Sequence, residues 1–221
     1  MIEWRARRAL RKLQRAYYAS PNDASIIPRY FETLRSARGP ALSRPALHAG
    51  SGGHHIDGWI NVDAGVSDGV DLLADLSRAI PFRSESLQYI HSEDFIEHLD
   101  LDGGKQFISE AYRVLRRGGV MRILTPDLRA LIDNVYHARE PRHIQWCADA
   151  LHAAGPCEAL NMHLRMNGDH RFIYDEELLT TLLQRAGFRV RRASWNRSKE
   201  KALRFLDLRD FGLNLFLEAV K

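Results

Sequence analysis

The sequence predicts an α/β protein in which helices alternate with the strands of a mostly parallel sheet, and three observations carry that prediction. Beyond residue 46, short apolar runs of strand length alternate with stretches of helical periodicity, the pattern of βαβ units. The first run ends in a glycine-rich turn, Gly50-Ser51-Gly52-Gly53. The next two end in acids, Asp63 and Asp75, so polar groups gather along one edge of the sheet.

Taken in order, strands are expected near Ala46–Ala49, Trp59–Val62, Asp71–Ala74, Leu87–Ser92 and Val120–Thr125. A short helix is expected over Ser92–Leu99. A longer one, Asp102–Arg117, buries Phe107, Ile108, Ala111, Tyr112 and Leu115, and stops at Gly118-Gly119, where glycine makes a left-handed cap cheap. Residues 128–170 read as a mostly helical insertion. An amphipathic helix over Asp175–Ala186 is ended by Gly187, and two strands, Phe188–Ser194 and Leu213–Val220, close the chain.

Composition bounds the function. With 221 residues, 45% hydrophobic and 27% charged, the chain can bury one large domain, and no apolar run approaches the roughly 20 residues of a membrane span. Two cysteines, Cys147 and Cys157, are too few for a disulfide framework or a cysteine-built zinc site. The first twenty residues hold charges where a secretory leader has an apolar core. The net charge of +4 is uneven: residues 1–46 carry ten Lys/Arg against three acids, and the remainder 22 against 25. The main domain, residues 46–221, is therefore net acidic, which argues against nucleic acid as its partner. Residues 1–45 form a basic extension and linker. Its opening helix sets Leu10, Leu13 and Tyr17 on one face and Arg8, Arg11, Lys12 and Arg15 on another, a pattern suited to its own domain, to an anionic membrane or to an acidic partner.

The glycine-rich turn lets main chain approach a nucleotide-like ligand, and Asp63 stands where a carboxylate can accept both hydroxyls of a ribose. A nicotinamide dinucleotide fits less well, because His55 occupies the third spaced glycine position of that fingerprint. Glu97-His98-Leu99, Arg113-Val114-Leu115-Arg116-Arg117-Gly118-Gly119 and Pro126-Asp127 follow at later strand tips and helix ends.

In this order the parts resemble the class I S-adenosylmethionine-dependent methyltransferases of the small type 11 group, over roughly residues 46–127, with a looser echo from His170 to Lys221. The resemblance implies a Rossmann-like, seven-stranded, mostly parallel sheet with an antiparallel C-terminal strand, and S-adenosylmethionine as cofactor. It places Gly50, Ser51 and Gly52 at the methionine part, Asp63 at the ribose, Asp75 and Leu76 at the adenine ring and Ser92 beside the sulfonium. His54 stands in place of the usual third glycine, and His48 in place of the acid that commonly opens the motif.

A donor that carries its own leaving group needs no metal; the protein's task is to hold a nucleophile in line. If that nucleophile is a hydroxyl, a general base is useful, and His98 and His170 are the candidates. Asp127, Arg129, His163 and Tyr174 are candidate substrate contacts, and His163, Asp169 and His170 lack a tight metal-ligand spacing. The leading expectation is O-methylation of a small molecule or a saccharide, as in surface-polysaccharide or glycan assembly, by a cytoplasmic enzyme whose front helix could rest on the membrane's inner face. The residues leave open a degenerate methyltransferase fold acting as a scaffold.

Overall fold

The computed structural model describes residues 46–221 apart from Val66 and Phe211. The expected basic extension over residues 1–45 therefore lies outside the described residues.

Strand β1 (Ala46–Ala49) is apolar except for His48 and is buried over its whole length. It has parallel neighbours on both sides, β2 (Ile60–Asp63) with Leu47 opposite Ile60, and β4 (Leu87–Glu93) with Leu47 opposite Ile90. β2 carries the short β3 (Leu72–Leu73) on its outer edge, and β4 pairs in parallel with β5 (Leu115–Pro126). The last two strands, β6 (Arg189–Arg192) and β7 (Asn214–Val220), complete a seven-stranded sheet in the order β3-β2-β1-β4-β5-β7-β6, with β7 antiparallel to both its neighbours. The connections run outward from β1 on one side and from β4 on the other. The carboxyl ends of β1 and β4 therefore flank a topological switch point, the usual place for a ligand crevice in open α/β sheets.

Helix α1 (Leu101–Val114) begins where Asp100 accepts the amide hydrogen of Gly103 at 2.7 Å. It buries Phe107, Ile108, Ala111 and Val114 against the sheet. It stops at Val114 rather than Arg117, because the amides of Glu85 and Ser86 claim the carbonyls of Arg113 and Val114 and Leu115 pairs with Leu87. Gly118 and Gly119 accordingly lie inside β5, where they exchange main-chain hydrogen bonds with Lys221, instead of capping the helix. Arg113 does not face the crevice. Its guanidinium donates to the carbonyls of Phe82 and Ile80 at 2.8 and 2.9 Å and pins that loop. The helix expected over Ser92–Leu99 is likewise shorter. Ser92 and Glu93 stay in β4, Asp94 turns the chain at φ +47°, and only a 3-10 turn, Ile96–His98, follows.

The expected insertion is helical: α2 (Leu128–Ala130) runs into a π-helical stretch, Leu131–His137, followed by α3 (Pro141–Leu151), α4 (Pro156–Arg165) and a 3-10 turn, Met166–Gly168. It has its own small apolar cluster, in which Leu131, Val135, Cys147 and Ala159 meet Leu213 from just before β7. Helix α5 (Glu176–Arg185) is capped by Asp175, which accepts from Leu178 N at 2.8 Å, and Gly187 follows it at φ +108° as expected.

One ion cluster is fully buried. Arg122 of β5 donates to Asp207, with Nε to Oδ1 at 2.7 Å, to Glu218 of β7 at 3.2 Å, and to the carbonyls of Ser194 and Arg197. It fastens the loop between β6 and β7 to the sheet. Among the described residues no helix is long and apolar enough to cross a membrane.

Candidate active site

A cavity of about 450 Å³ opens at the carboxyl ends of β1 and β4, within the size range of small-molecule sites. Its floor is the glycine-rich turn, residues 50–54, with His48 beneath it. Glu93, Asp94, Glu97 and His98 form one wall. Trp146 of α3, His163 of α4, Met166, Asp169 and His170 cover it, and Leu208, Arg209, Leu213 and Asn214 close the far side.

The turn is shaped by its glycines. Gly50 has φ +68°, and a Cβ there would run into the ring of Phe95. Gly52 has φ +49°, and neither Gly52 nor Gly53 has an atom within 4 Å of where a Cβ would stand, so bare main chain faces the opening. The register of the turn is held from β2: Ser51 N donates to Val62 O at 3.0 Å, and Gly52 N donates to Asp63 Oδ2 at 2.9 Å. The Oδ1 of Asp63 accepts from Gly65 N at 2.7 Å. A carboxylate offers about four acceptor positions, so ribose hydroxyls still find lone pairs there.

These residues fit S-adenosylmethionine. The open surface of Gly52 and Gly53 admits close approach, the Oγ atoms of Ser51 and Ser92 are buried with no protein partner, and the acids of the β4 wall suit a positively charged ligand.

The wall is electrostatically strained. Burial, and then the neighbouring Asp94, push the Glu97 carboxyl up to about 8. Its Oε2 accepts from Thr125 Oγ at 3.0 Å, while Oε1 is buried without a partner. Burial also raises Asp94, against the opposing pull of Arg209, whose guanidinium lies 2.7 Å from it. Glu93 accepts the amides of Leu208 and Arg209, which draws that loop over the cavity. His98 and His170 meet edge to face, with ring centres 5.0 Å apart. His163 stacks on Trp146 at 4.8 Å, and burial, followed by the neighbouring His170 and His143, lowers it to about 4. Under the turn His48 is 3% exposed and lies 3.1 Å from Asn61 Oδ1; burial, then His91, depresses it to about 3.

Of the residues singled out in the sequence, Gly50, Ser51, Gly52, His98, His163 and His170 share this cavity, and Asp63 adjoins it through Gly52. Ser92 lies just behind the turn, opposite Ala49 in the sheet. The others do not line it. Asp75 holds Ser77 and Arg78, and Leu76 is packed in the core. Asp127 caps α2 through Arg129 N, and the Arg129 side chain, 79% exposed, pairs with Asp133. Tyr174 is fully buried in the main core, with its ring packed where Gly104 leaves room. Sequence reasoning did not mark Trp146, Leu208 or Arg209. Trp146 sits on an amphipathic helix where an aromatic suggests core, and the Leu208–Arg209 loop carries no periodicity at all.

Residues 61–123 match the sequence profile of a methyltransferase domain of type 11. No curated protein matches the chain. Among solved structures, a SAM-dependent methyltransferase from Archaeoglobus fulgidus is similar at 14% identity, covering 89% of this chain and 93% of that one, with a TM-score of 0.51. A SAM-dependent methyltransferase from Thermotoga maritima, described as a possible histamine N-methyltransferase, has 17% identity and a TM-score of 0.48 over 80% of this chain and 82% of that one. One from Mesorhizobium loti has 11% identity and a TM-score of 0.49 over 86% of this chain and 97% of that one. Residues 61–123 thus resemble a methyltransferase domain, set in a fold similar to that of S-adenosylmethionine-dependent methyltransferases, and together these point to S-adenosylmethionine as the cofactor.

Proposed function

We propose that the chain methylates a hydroxyl group of a small molecule or saccharide bound in the cavity beneath α3 and α4. One observation carries this reading: two imidazoles stand at the cavity wall with their Nδ1 atoms tied to the main chain. His98 and His170 each place Nδ1 against a main-chain carbonyl, of Asp169 at 3.1 Å and of His163 at 2.7 Å. A carbonyl only accepts, so both Nδ1 atoms donate, the arrangement that in a neutral imidazole puts the lone pair on Nε2. Burial, ahead of its other neighbours, lowers His170 and keeps it neutral at ordinary pH.

When bound, S-adenosylmethionine supplies a methyl group already attached to its leaving group. The chain's residues do the rest. The main chain of Gly50, Ser51 and Gly52 holds the methionine end, and Asp63 receives the ribose. Trp146 and Met166 shield the site from water, and an imidazole Nε2 takes the proton that a hydroxyl gives up, help worth roughly 10²–10⁴ in rate. A roof that sets Trp146 and Met166 beside His163, Asp169 and His170 suits an acceptor with both a hydrophobic face and hydroxyls, such as a sugar.

The test is a methylation assay with S-adenosylmethionine against a panel of glycans, phenols and amines. Hydroxyl products, and a His170→Ala variant that loses turnover while binding S-adenosylhomocysteine normally, support the reading. Methylation confined to amines or thiols overturns it.

A further inference from the structure

Glu97, His98 and His170 each offer a ligand atom, and the three atoms lie within 4.8 Å of one another. A cation bound at 2.0–2.2 Å would draw each of them in by less than about 1 Å. Three further features belong to a metal site rather than to a chance cluster. The Nδ1 hydrogens of both histidines are tied to carbonyls, which fixes the tautomer and orients each ring, as is usual around metal-bound imidazole. Glu97 is fully buried, yet its Oε1 has no hydrogen-bond partner, an orphaned polar atom that a bound cation would satisfy. The nearby guanidinium of Arg209 is engaged with Asp94 instead. Finally, the two parts are rigidly joined. The carbonyl of Glu97 accepts the amides of Arg171 and Phe172 at 2.8 and 3.1 Å, so the 3-10 turn and the segment bearing His170 cannot drift apart.

We propose that Glu97, His98 and His170 bind a divalent transition-metal cation at the acceptor end of the cavity. Two imidazoles and one carboxylate suit manganese, iron, cobalt or zinc better than magnesium or calcium. Three protein ligands on one side leave coordination positions that face the cavity, where they can take an oxygen of the acceptor. A cation there would occupy the Nε2 lone pairs and take over the part given above to a free imidazole, lowering the proton affinity of a hydroxyl it touches so that the proton passes to water at the cavity mouth; this purpose rests on the hydroxyl-acceptor reading above, and the binding itself does not. Spacing along the sequence conceals the set, because His98 and His170 come from segments far apart in the chain.

The experiment uses the full chain, freed of metal with a chelator and titrated with Co²⁺ in the absence of cofactor and acceptor, followed by calorimetry and visible absorption. One cation per chain is expected, with absorption bands of nitrogen-ligated cobalt, and Glu97→Gln and His170→Ala should each weaken binding at least ten-fold. Imidazole nitrogen NMR of the unmodified protein with Zn²⁺ provides a readout free of folding concerns: the Nε2 resonances of His98 and His170 should shift. No saturable cation binding, unchanged histidine resonances, or variants that bind as tightly as the parent would each overturn the proposal. Cation binding without hydroxyl methylation leaves this site standing and removes the acceptor assignment. Hydroxyl methylation that survives complete chelation keeps the acceptor assignment and overturns the cation's part in it.

Discussion

Asp63 and Gly52 are joined by a 2.9 Å hydrogen bond from the glycine amide to the carboxylate, so the acid at the end of β2 sets the shape of the turn at the end of β1. Loop register depends on this side chain, and so does cofactor contact if Asp63 receives the ribose as proposed. Asp63→Ala should weaken S-adenosylhomocysteine binding by more than ten-fold, as calorimetric titration would show, while leaving the cooperativity of unfolding intact. Unchanged affinity would remove Asp63 from the ribose site.

Gly50 and Gly53 should respond oppositely to the same substitution. Gly50→Ala forces a Cβ into Phe95 at a positive φ, a cost of about 1–3 kcal/mol. Gly53→Ala meets open space, so its thermal midpoint should match the parent's and any loss should appear in cofactor affinity. Equal midpoints for the two variants would contradict the turn geometry described here.

His48 makes the protein acid-sensitive. Its folded value of about 3 lies below the ordinary 6.5, so between those limits the unfolded chain binds the extra proton and stability falls as pH falls. The loss should begin near pH 6.5, be complete near pH 3, and amount to at most about 4–5 kcal/mol from this residue. Urea midpoints at pH 7.5, 5.5 and 4.5 would trace it, and His48→Asn should flatten the slope. A residual slope is expected from His163, which is depressed to about 4. An equally steep acid loss in the variant would clear His48 of the effect.

Tyr174→Phe should leave both turnover and stability near their parent values. The hydroxyl is buried without a partner beside Gly104, where removing it costs no hydrogen bond. A large fall in turnover, measured beside the thermal midpoint, would instead return this tyrosine to the substrate.

The sheet was legible in the sequence because its central strands are short, mostly apolar runs, β1 broken only by His48 and β2 by Asn61 before its closing acid, and buried parallel strands need no alternation to be recognised. The helix ends were not. Gly118-Gly119 has the composition of a helix cap, but pairing of Leu115 with Leu87 won over local preference. The site was legible where its chemistry is local, in the turn from Gly50 to Gly52 and in the adjacent Glu97-His98. Asp127 and Tyr174 do not line the cavity, because positions at a strand tip and before a helix say nothing of direction: one carboxylate caps a helix and the other side chain turns inward. Arg209 was invisible, since only the folded chain brings it beside Asp94.

The fully buried guanidinium of Arg122 has a bearing on how this scaffold could diversify. Because Asp207 is locked to it, the neighbouring Leu208 and Arg209 are anchored to the centre of the molecule, and that side of the hollow cannot be remodelled without replacing several charges together. The opposite side, built from α3 and α4, is held by aliphatic packing that tolerates piecemeal exchange. Descendants with new acceptor preferences should therefore differ in the roof helices and share the Arg122–Asp207 pair.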